Sequence, residues 1–406
     1  MTSFRQRHLV PTVGRLVYLN TGWSGPTPMP VLAAMRSYME EEAAAGPASP
    51  EGLTLRMAVQ RRARRAAARV IGADEDEVAL AENTTEGINI VLNGLSWQAG
   101  DEVVTCSLEH PSVLLPLYAL RERHGVAVRI VPLEADEPDG EAAARFRAAL
   151  GPRTRLVAVS HVSYANGRRL PVREIVAAAR AAGVPVLLDG AQAAGHVPVS
   201  VRDLGCDFYA FPGHKWLLGP DGTAGLFVRR DWIPRLLLGK VGLKAAREFD
   251  TEGGFVPERE SIRRFEVSTA SGVTLTGFTA AVDLALGLDP GAVERWNVGL
   301  AERLTRGLLA VPGVEVVSPT RREAMTGLVA FRLPGADAEA VTAALWERGR
   351  VAARTVGGLN ATRLSLHWFV SPEEVDRSLS LIEDLARGGV PSPAETPPER
   401  LAHEEL

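Results

Sequence analysis

The sequence predicts an α/β fold, a mostly parallel sheet flanked by helices, followed by a small α+β domain. Three observations carry this. Between about 76 and 230, β-branched apolar runs alternate with helix-like stretches, the pattern of βαβ units. After the helix-like stretch 276–308 the alternation gives way to three short strands and two helix-like stretches. The 406 residues suffice for two domains with buried cores.

Taken in order, residues 15–30 read as a short strand and a Gly/Pro-rich loop. Residues 31–71 read as helix, broken around Gly46-Pro47. The strand-like runs are 103–108, 126–133, 155–162, 184–190 and 224–230, with a further strand entering the turn that follows Phe211. Residues 231–275 are irregular, with Gly253-Gly254 and many charges, and 276–308 read as helix. Runs 314–319, 327–333 and 363–369 read as strands; 336–349 and 371–388 read as helices, the last opened by Ser371 as N-cap with Glu373 and Glu374 in its first turn. The Pro- and Glu-rich end, 389–406, reads as a disordered tail.

A net charge of −4 gives no electrostatic case for nucleic acid or an anionic membrane. No apolar run reaches the roughly 18 residues of a membrane span, and the first residues lack a signal-peptide core. The expected location is the cytoplasm. Two cysteines, Cys106 and Cys206, make neither a disulfide framework nor a metal cluster. The chain has only three lysines, Lys215, Lys240 and Lys244, against 42 arginines. Arginine stays protonated, so any chemistry that needs an amine nucleophile has three candidates.

Asp189 ends the apolar run Val186-Leu187-Leu188, where ligands of α/β sheets gather. A strand then leads to Gly213-His214-Lys215-Trp216 and the loop Gly219-Pro220-Asp221-Gly222. A carboxylate and a lone lysine so placed suit pyridoxal 5′-phosphate. The carboxylate keeps the pyridine nitrogen protonated, and a lysine with a lowered pKa in apolar surroundings attacks the aldehyde. Gln192, just beyond, could hydrogen-bond the ring 3′-oxygen. On its own, Asp189 equally fits a helix N-cap.

The order Asp-x-x-Gln, then Gly-His-Lys ahead of Gly-Pro-x-Gly, resembles the class V aminotransferase superfamily of pyridoxal-phosphate enzymes over about 17–385. The resemblance implies fold type I: a seven-stranded sheet in a large cofactor-binding domain over 31–275, a small domain over 276–388, and residues 1–30 joining the small domain. Glu82-Asn83-Thr84-Thr85-Glu86-Gly87 looks like the family's phosphate cradle, giving Thr85 and Glu86 to the cofactor; a hydroxyl at a helix N-terminus suits a phosphate. Glu109-His110-Pro111 resembles the family's Glu-His, whose imidazole stacks on the cofactor ring. His214 is similar to the histidine that contacts the phosphate. Arg264-Phe265-Glu266 resembles the motif whose threonine, here Thr269, reaches the phosphate across a homodimer interface. Lys215 would carry the Schiff base. Two positions depart from the family: Pro212 replaces a Ser or Thr, and Tyr164 stands where many members have Asn.

Arg363 is similar to the arginine that binds the substrate carboxylate, although spacing alone allows a solvated strand-end residue. A sulfur-relaying desulfurase needs a cysteine shortly before that arginine, and 340–362 contain none. The closest resemblance is to cysteine/cystine C–S lyases, through Gly213-His214-Lys215-Trp216, Arg263-Arg264-Phe265-Glu266-Val267, Arg354-Thr355 and His367-Trp368-Phe369. It implies β-elimination on cystine, cysteine or an S-substituted cysteine, with Arg354 as a second carboxylate anchor beside Arg363 and Tyr164. An aminotransferase or an isopenicillin N epimerase-like epimerase would use the same Lys215, Asp189 and His110. The expected partners are a small amino acid substrate and a second copy of the chain.

Overall fold

In the computed structural model, which describes residues 4–390, a two-residue strand β1 (Val17–Tyr18) precedes the seven strands of the central sheet. These are β2 (Val78–Ala81), β3 (Glu102–Cys106), β4 (Ala127–Val131), β5 (Thr154–Ser160), β6 (Val186–Asp189), β7 (Phe208–Pro212) and β8 (Ala224–Val228). Their spatial order is β2-β8-β7-β6-β5-β3-β4. Strands β3 to β7 are mutually parallel, and β8 lies antiparallel between β7 and β2. The predicted α/β class and seven strands therefore hold, with one antiparallel strand in a mixed sheet.

The helices α1 (Met29–Ala45), α2 (Pro50–Ile71), α3 (Thr84–Gly94), α4 (Pro111–His124), α5 (Asp139–Ala149), α6 (Val172–Ala181) and α7 (Val201–Leu204) accompany this sheet. Strand alternation sorts the core into two faces. Val104, Val157, Val159, Leu188 and Phe211 share a cluster with residues of α2, α5 and α6. Their neighbours Val103, Leu156, Ala158, Leu187, Phe208 and Ala210 share one with α3 and α4. The break at Gly46-Pro47 is real: Ser49 caps α2 by accepting from the Gly52 N–H, Pro50 sits at its start and left-handed Gly72 ends it.

Three expectations are corrected. The single helix over 276–308 is two, α8 (Gly272–Gly287) and α9 (Pro290–Ala310). Pro290 has no N–H for a helix interior and restricts its predecessor, so the chain breaks at Asp289, which turns to φ +58° and caps Gly291. The irregular segment 231–275 contains a hairpin of β9 (Ala246–Phe249) and β10 (Phe255–Pro257). The strand placed over 363–369 stops earlier, because the chain turns at His367, whose carbonyl accepts from the Val370 N–H.

The C-terminal part holds β11 (Glu315–Val316), β12 (Leu328–Arg332), β13 (Val351–Ala352), β14 (Arg354–Val356) and β15 (Ala361–Ser365), with α10 (Ala338–Gly349) and α11 (Pro372–Gly388). Its antiparallel sheet has the order β11-β12-β15-β14, and β1 pairs in parallel with β13. A capping box between Ser371 and Glu374 starts α11. Of the tail read as disordered, residues 391–406 lie outside the described residues. Among the described residues no helix is long and apolar enough to cross a membrane.

Candidate active site

The carboxyl ends of β5, β6 and β7 lie side by side, with Ser160 opposite Asp189 and Asp189 opposite Ala210. Beyond them opens a cavity of about 470 Å³. It is lined by Thr85, His110, Tyr164, Asp189, Gln192, His214, Lys215, Arg354 and Arg363, together with Trp23, Ser112 and Glu339. Nine of the eleven expected site residues thus share one pocket.

Two do not. Glu86 sends its carboxylate to Lys240, 3.1 Å away, and to the Glu82 N–H at 2.7 Å, while its own N–H donates to Asn83 Oδ1. Glu86 instead lines a neighbouring cavity, with Thr85 shared between the two. Thr269 is exposed and lies outside this chain's pocket.

Lys215 stands in the turn after β7. Its carbonyl accepts from Leu218, and the preceding His214 carbonyl accepts from Gly25 at 2.6 Å. Gly25 must be glycine here, since a Cβ would sit 2.3 Å from the Lys215 oxygen. Burial lowers the Lys215 pKa to about 8, with Arg363 and Arg354 adding to the shift and Asp189 opposing it. Asp189 is itself buried, and its Oδ1 accepts from the Ala191 N–H at 2.8 Å. Desolvation raises its pKa, an effect a cation against it would reverse.

His110 is the N-cap of α4 and accepts at Nδ1 from the Ser112 N–H at 3.0 Å. Its proton is therefore assigned to Nε2. Thr85 donates to Ser112 Oγ at 2.9 Å, which lies 2.9 Å from the same Nδ1. Tyr164 meets the imidazole edge-on, at 4.6 Å between centroids. Burial, then the charges of Lys215, Arg363 and Arg354, lower the His110 pKa to about 3, so it is neutral at physiological pH. Buried His214 Nδ1 has no hydrogen-bond partner among the described residues. Pro212 closes β7 opposite Ala224.

Trp216 locks the lysine turn from behind. Its indole N–H donates to Gln192 Oε1 at 2.8 Å, its ring stacks on His196 at 3.5 Å, and its carbonyl accepts from His367 at 2.9 Å. Gln192 in turn donates to the Gly22 carbonyl at 2.7 Å. His196 Nε2 accepts from the Gly327 N–H, which leaves Nδ1–H for the Gln192 carbonyl. Burial lowers both histidines to about 3, so the clamp is uncharged. Sequence reading offered no reason to choose His196 or Ser112. Each is defined by partners distant in sequence or by a local cap.

Arg354 and Arg363 face each other across β14 and β15. Directly opposed like charges repel. Among the described residues neither is ion-paired with a carboxylate. Arg363 donates to the Tyr164 carbonyl and keeps a buried Nε without a partner; Arg354 lies 4.1 Å above the Trp23 ring. Burial, with Arg354 beside it, lowers the Arg363 pKa to about 10, still charged at neutral pH. The two cysteines are buried outside the pocket, and desolvation pushes both thiols up, which keeps them from thiolate chemistry.

The family model for class V aminotransferases matches residues 17–378. A probable cysteine desulfurase of Methanothermobacter thermautotrophicus is 32% identical, covering 94% of this chain and 98% of its own. Isopenicillin N epimerase of Streptomyces clavuligerus is also 32% identical, covering 93% and 96%. The cystine C–S lyase C-DES, solved with its product cysteine persulfide, superposes with a TM-score of 0.87 at 30% identity, covering 92% and 99%. A C-DES variant has been solved with glycine covalently linked to its PLP cofactor.

Proposed function

The chain belongs to the class V aminotransferase family, and from that premise we propose a pyridoxal-phosphate enzyme that cleaves carbon–sulfur bonds by β-elimination. The substrates are cystine, cysteine or another S-substituted cysteine. The observation that carries the reading is the opposed pair Arg354 and Arg363, uncompensated by any described carboxylate and facing the same cavity as Lys215. Two fixed cations in one pocket call for a substrate with two anionic ends. The absence of a thiol from the described lining argues against a persulfide relay.

The residues fit the cofactor. His214 Nδ1, without a hydrogen bond and 3.9 Å from Asp221 Oδ1, the Thr85 hydroxyl and the N-terminus of α3 suit a phosphate, and buried Asp189 suits a cationic ring nitrogen. Bound pyridoxal phosphate supplies the sink for the electron pair of the Cα–H bond. Lys215, with its amine near pKa 8, takes that proton. Arg363 holds the α-carboxylate and Arg354 a distal one. Neutral His110 presents Nε2–H and stays uncharged throughout. The Cα–H and Cβ–S bonds break, Cα=Cβ forms, and sulfur leaves with its electron pair as thiolate or persulfide. The enamine left behind hydrolyses to pyruvate and ammonia.

Purified holoenzyme given L-cystine is expected to release pyruvate and sulfane sulfur together. A keto acid formed only with an amino acceptor, or a D-amino acid, would move the reading to the transaminase or epimerase chemistry of the same scaffold. The reading includes a homodimer in which Thr269 completes the partner's site. Exposed Val241, Leu243, Phe249 and Phe255, all within 231–275, supply an apolar face for it. Sedimentation of the holoenzyme should give a dimer, and a monomer at working concentration would overturn that part.

A further inference from the structure

One buried acid beside this site has no part in the chemistry above. Glu109 follows β3 and directly precedes His110, and its side chain is buried behind the residues that line the cavity. Its Oε1 accepts from the Ser160 N–H at 2.8 Å and from the Cys106 thiol at 3.1 Å, and its Oε2 accepts from the Ser160 hydroxyl at 2.6 Å. Ser160 ends β5, lines the cavity and stands opposite Asp189 in the register of β5 and β6, so the two side chains leave the sheet on the same face. Two buried carboxyl groups thus serve adjacent strand ends: Asp189 on β6 directly, and Glu109 through Ser160 on β5.

Cations are unequally shared between them. Lys215 acts on Asp189, whereas no described lysine, arginine or histidine pairs with Glu109. The polar groups around Glu109 are Cys106 on β3, Ser160 on β5, Asp189 on β6, Tyr164 and Arg168 beyond β5, and its neighbour His110, which is neutral. Arg168 is engaged elsewhere, by the Glu134 and Glu137 carbonyls and, at 3.6 Å, by the Glu137 carboxylate. Two like charges in one dry region repel strongly, so the proton settles on the group that lacks a cation. Burial, with Asp189 adding to it and the Ser160 and Cys106 hydrogen bonds opposing it, raises the Glu109 pKa to about 7. In the acid form, the hydrogen on Oε2 goes to Ser160 Oγ, and the Ser160 hydrogen is freed for an acceptor in the cavity.

We infer that Glu109 is a positioning residue that works as a neutral carboxylic acid: it keeps a second negative charge away from Asp189 and turns the Ser160 hydroxyl hydrogen into the cavity beside Asp189. When the acid loses its proton, Ser160 turns its hydrogen back to Oε2 and the cavity loses that donor. This rests only on the part of the reading above that sets an ionised Asp189 against a cationic ring nitrogen, and not on the bond that is cleaved.

Infrared difference spectra of the apoprotein follow the carboxyl proton directly. Wild type should lose a protonated-carboxyl band as pH rises through about 7, and Glu109→Gln should lack that transition. Ser160→Ala should move it upward, because a donor to the carboxylate is gone, and Asp189→Asn downward, because a like charge is gone. In the holoenzyme, Glu109→Ala leaves the Ser160 groups without their partner and should lower kcat for pyruvate formation from cystine about tenfold with KM kept, the scale of one lost buried hydrogen-bond partner. Glu109→Gln should restore kcat on the acid side of the transition, because the amide copies the acid: it donates to Ser160 Oγ and accepts from the Ser160 N–H. A glutamine variant as impaired as the alanine one, with no carboxyl transition in wild type, would mean that an ionised carboxylate works here and would overturn the inference. Variants that differ from wild type in melting temperature alone would reduce Glu109 to a brace between β3 and β5, and would overturn it too. If wild type forms no pyruvate, the lyase reading has failed. The infrared transitions, which need neither cofactor nor substrate, then decide the Glu109 question by themselves: the shifts in Ser160→Ala and Asp189→Asn support it and their absence overturns it.

Discussion

Lys215→Ala should lose pyruvate formation from cystine by about 10²–10⁴-fold, the range of a positioned general base, and should no longer hold its cofactor covalently. Neither remaining lysine can substitute. Lys240 is exposed and paired with Glu86, and Lys244 is held 2.8 Å from buried Glu266. Burial sets the chemistry of Lys215. A lysine in water is protonated up to about pH 10.4, whereas this amine titrates near 8. Only the neutral amine attacks an aldehyde. Cofactor capture by wild-type apoprotein, followed by absorbance, should therefore climb as pH is raised towards about 8 and then level off. A rate that kept rising towards pH 10 would mean that Lys215 is not desolvated, and covalent cofactor surviving in Lys215→Ala would assign the attachment elsewhere.

The part of this site legible in sequence is the part dictated by strand ends. An apolar run that stops at a carboxylate and a strand that breaks into a glycine turn are local patterns, and Asp189 and Lys215 are found where those patterns end. The cross-strand meeting of Arg354 with Arg363 depends on the register of two short antiparallel strands, which no local period encodes. The four-residue β2 is likewise too short to register as an alternation. Glu86 is the opposite case: a motif read as a unit includes it, but its carboxylate is engaged by Lys240 and by the Glu82 N–H outside the lysine pocket. Ser112 and His196 are not to be singled out from their own stretches of sequence, Ser112 because a cap contact alone does not mark a site and His196 because its partners are distant in sequence. Each acquires its role from what the fold lays beside it.

The same contrast separates the two ends of the pocket physically. Around Trp216 the hydrogen bonds join neutral partners: indole to amide, amide to carbonyl, imidazole to backbone. That end is rigid and insensitive to pH across the physiological range, since burial holds both flanking histidines near 3. Towards β14 and β15 stand two guanidinium groups without a carboxylate partner among the described residues, one of them with a buried, unpartnered Nε. A scaffold satisfied behind the lysine and unsatisfied in front of it is arranged to hold the reacting amine still and to draw in an anion.

That lack of satisfaction makes Arg363 the residue whose loss should matter most for substrate binding. Arg363→Met keeps the length and apolar bulk of the stem while removing the guanidinium. Losing a desolvated charge partner costs about 2–5 kcal/mol, or about 30- to 4,000-fold, in KM for cystine. Arg363→Lys should recover part of this, because an ammonium keeps the charge but not the two-pronged geometry. Stability should move the other way. Removing Arg363 ends its repulsion by Arg354 and the cost of a buried Nε without a partner, so the melting temperature of Arg363→Met should equal or exceed that of wild type. A variant with unchanged KM and a lowered melting temperature would make Arg363 a structural residue of β15. A raised KM with undiminished stability places the cost of the two arginines in the fold and their purpose in the carboxylates they bind.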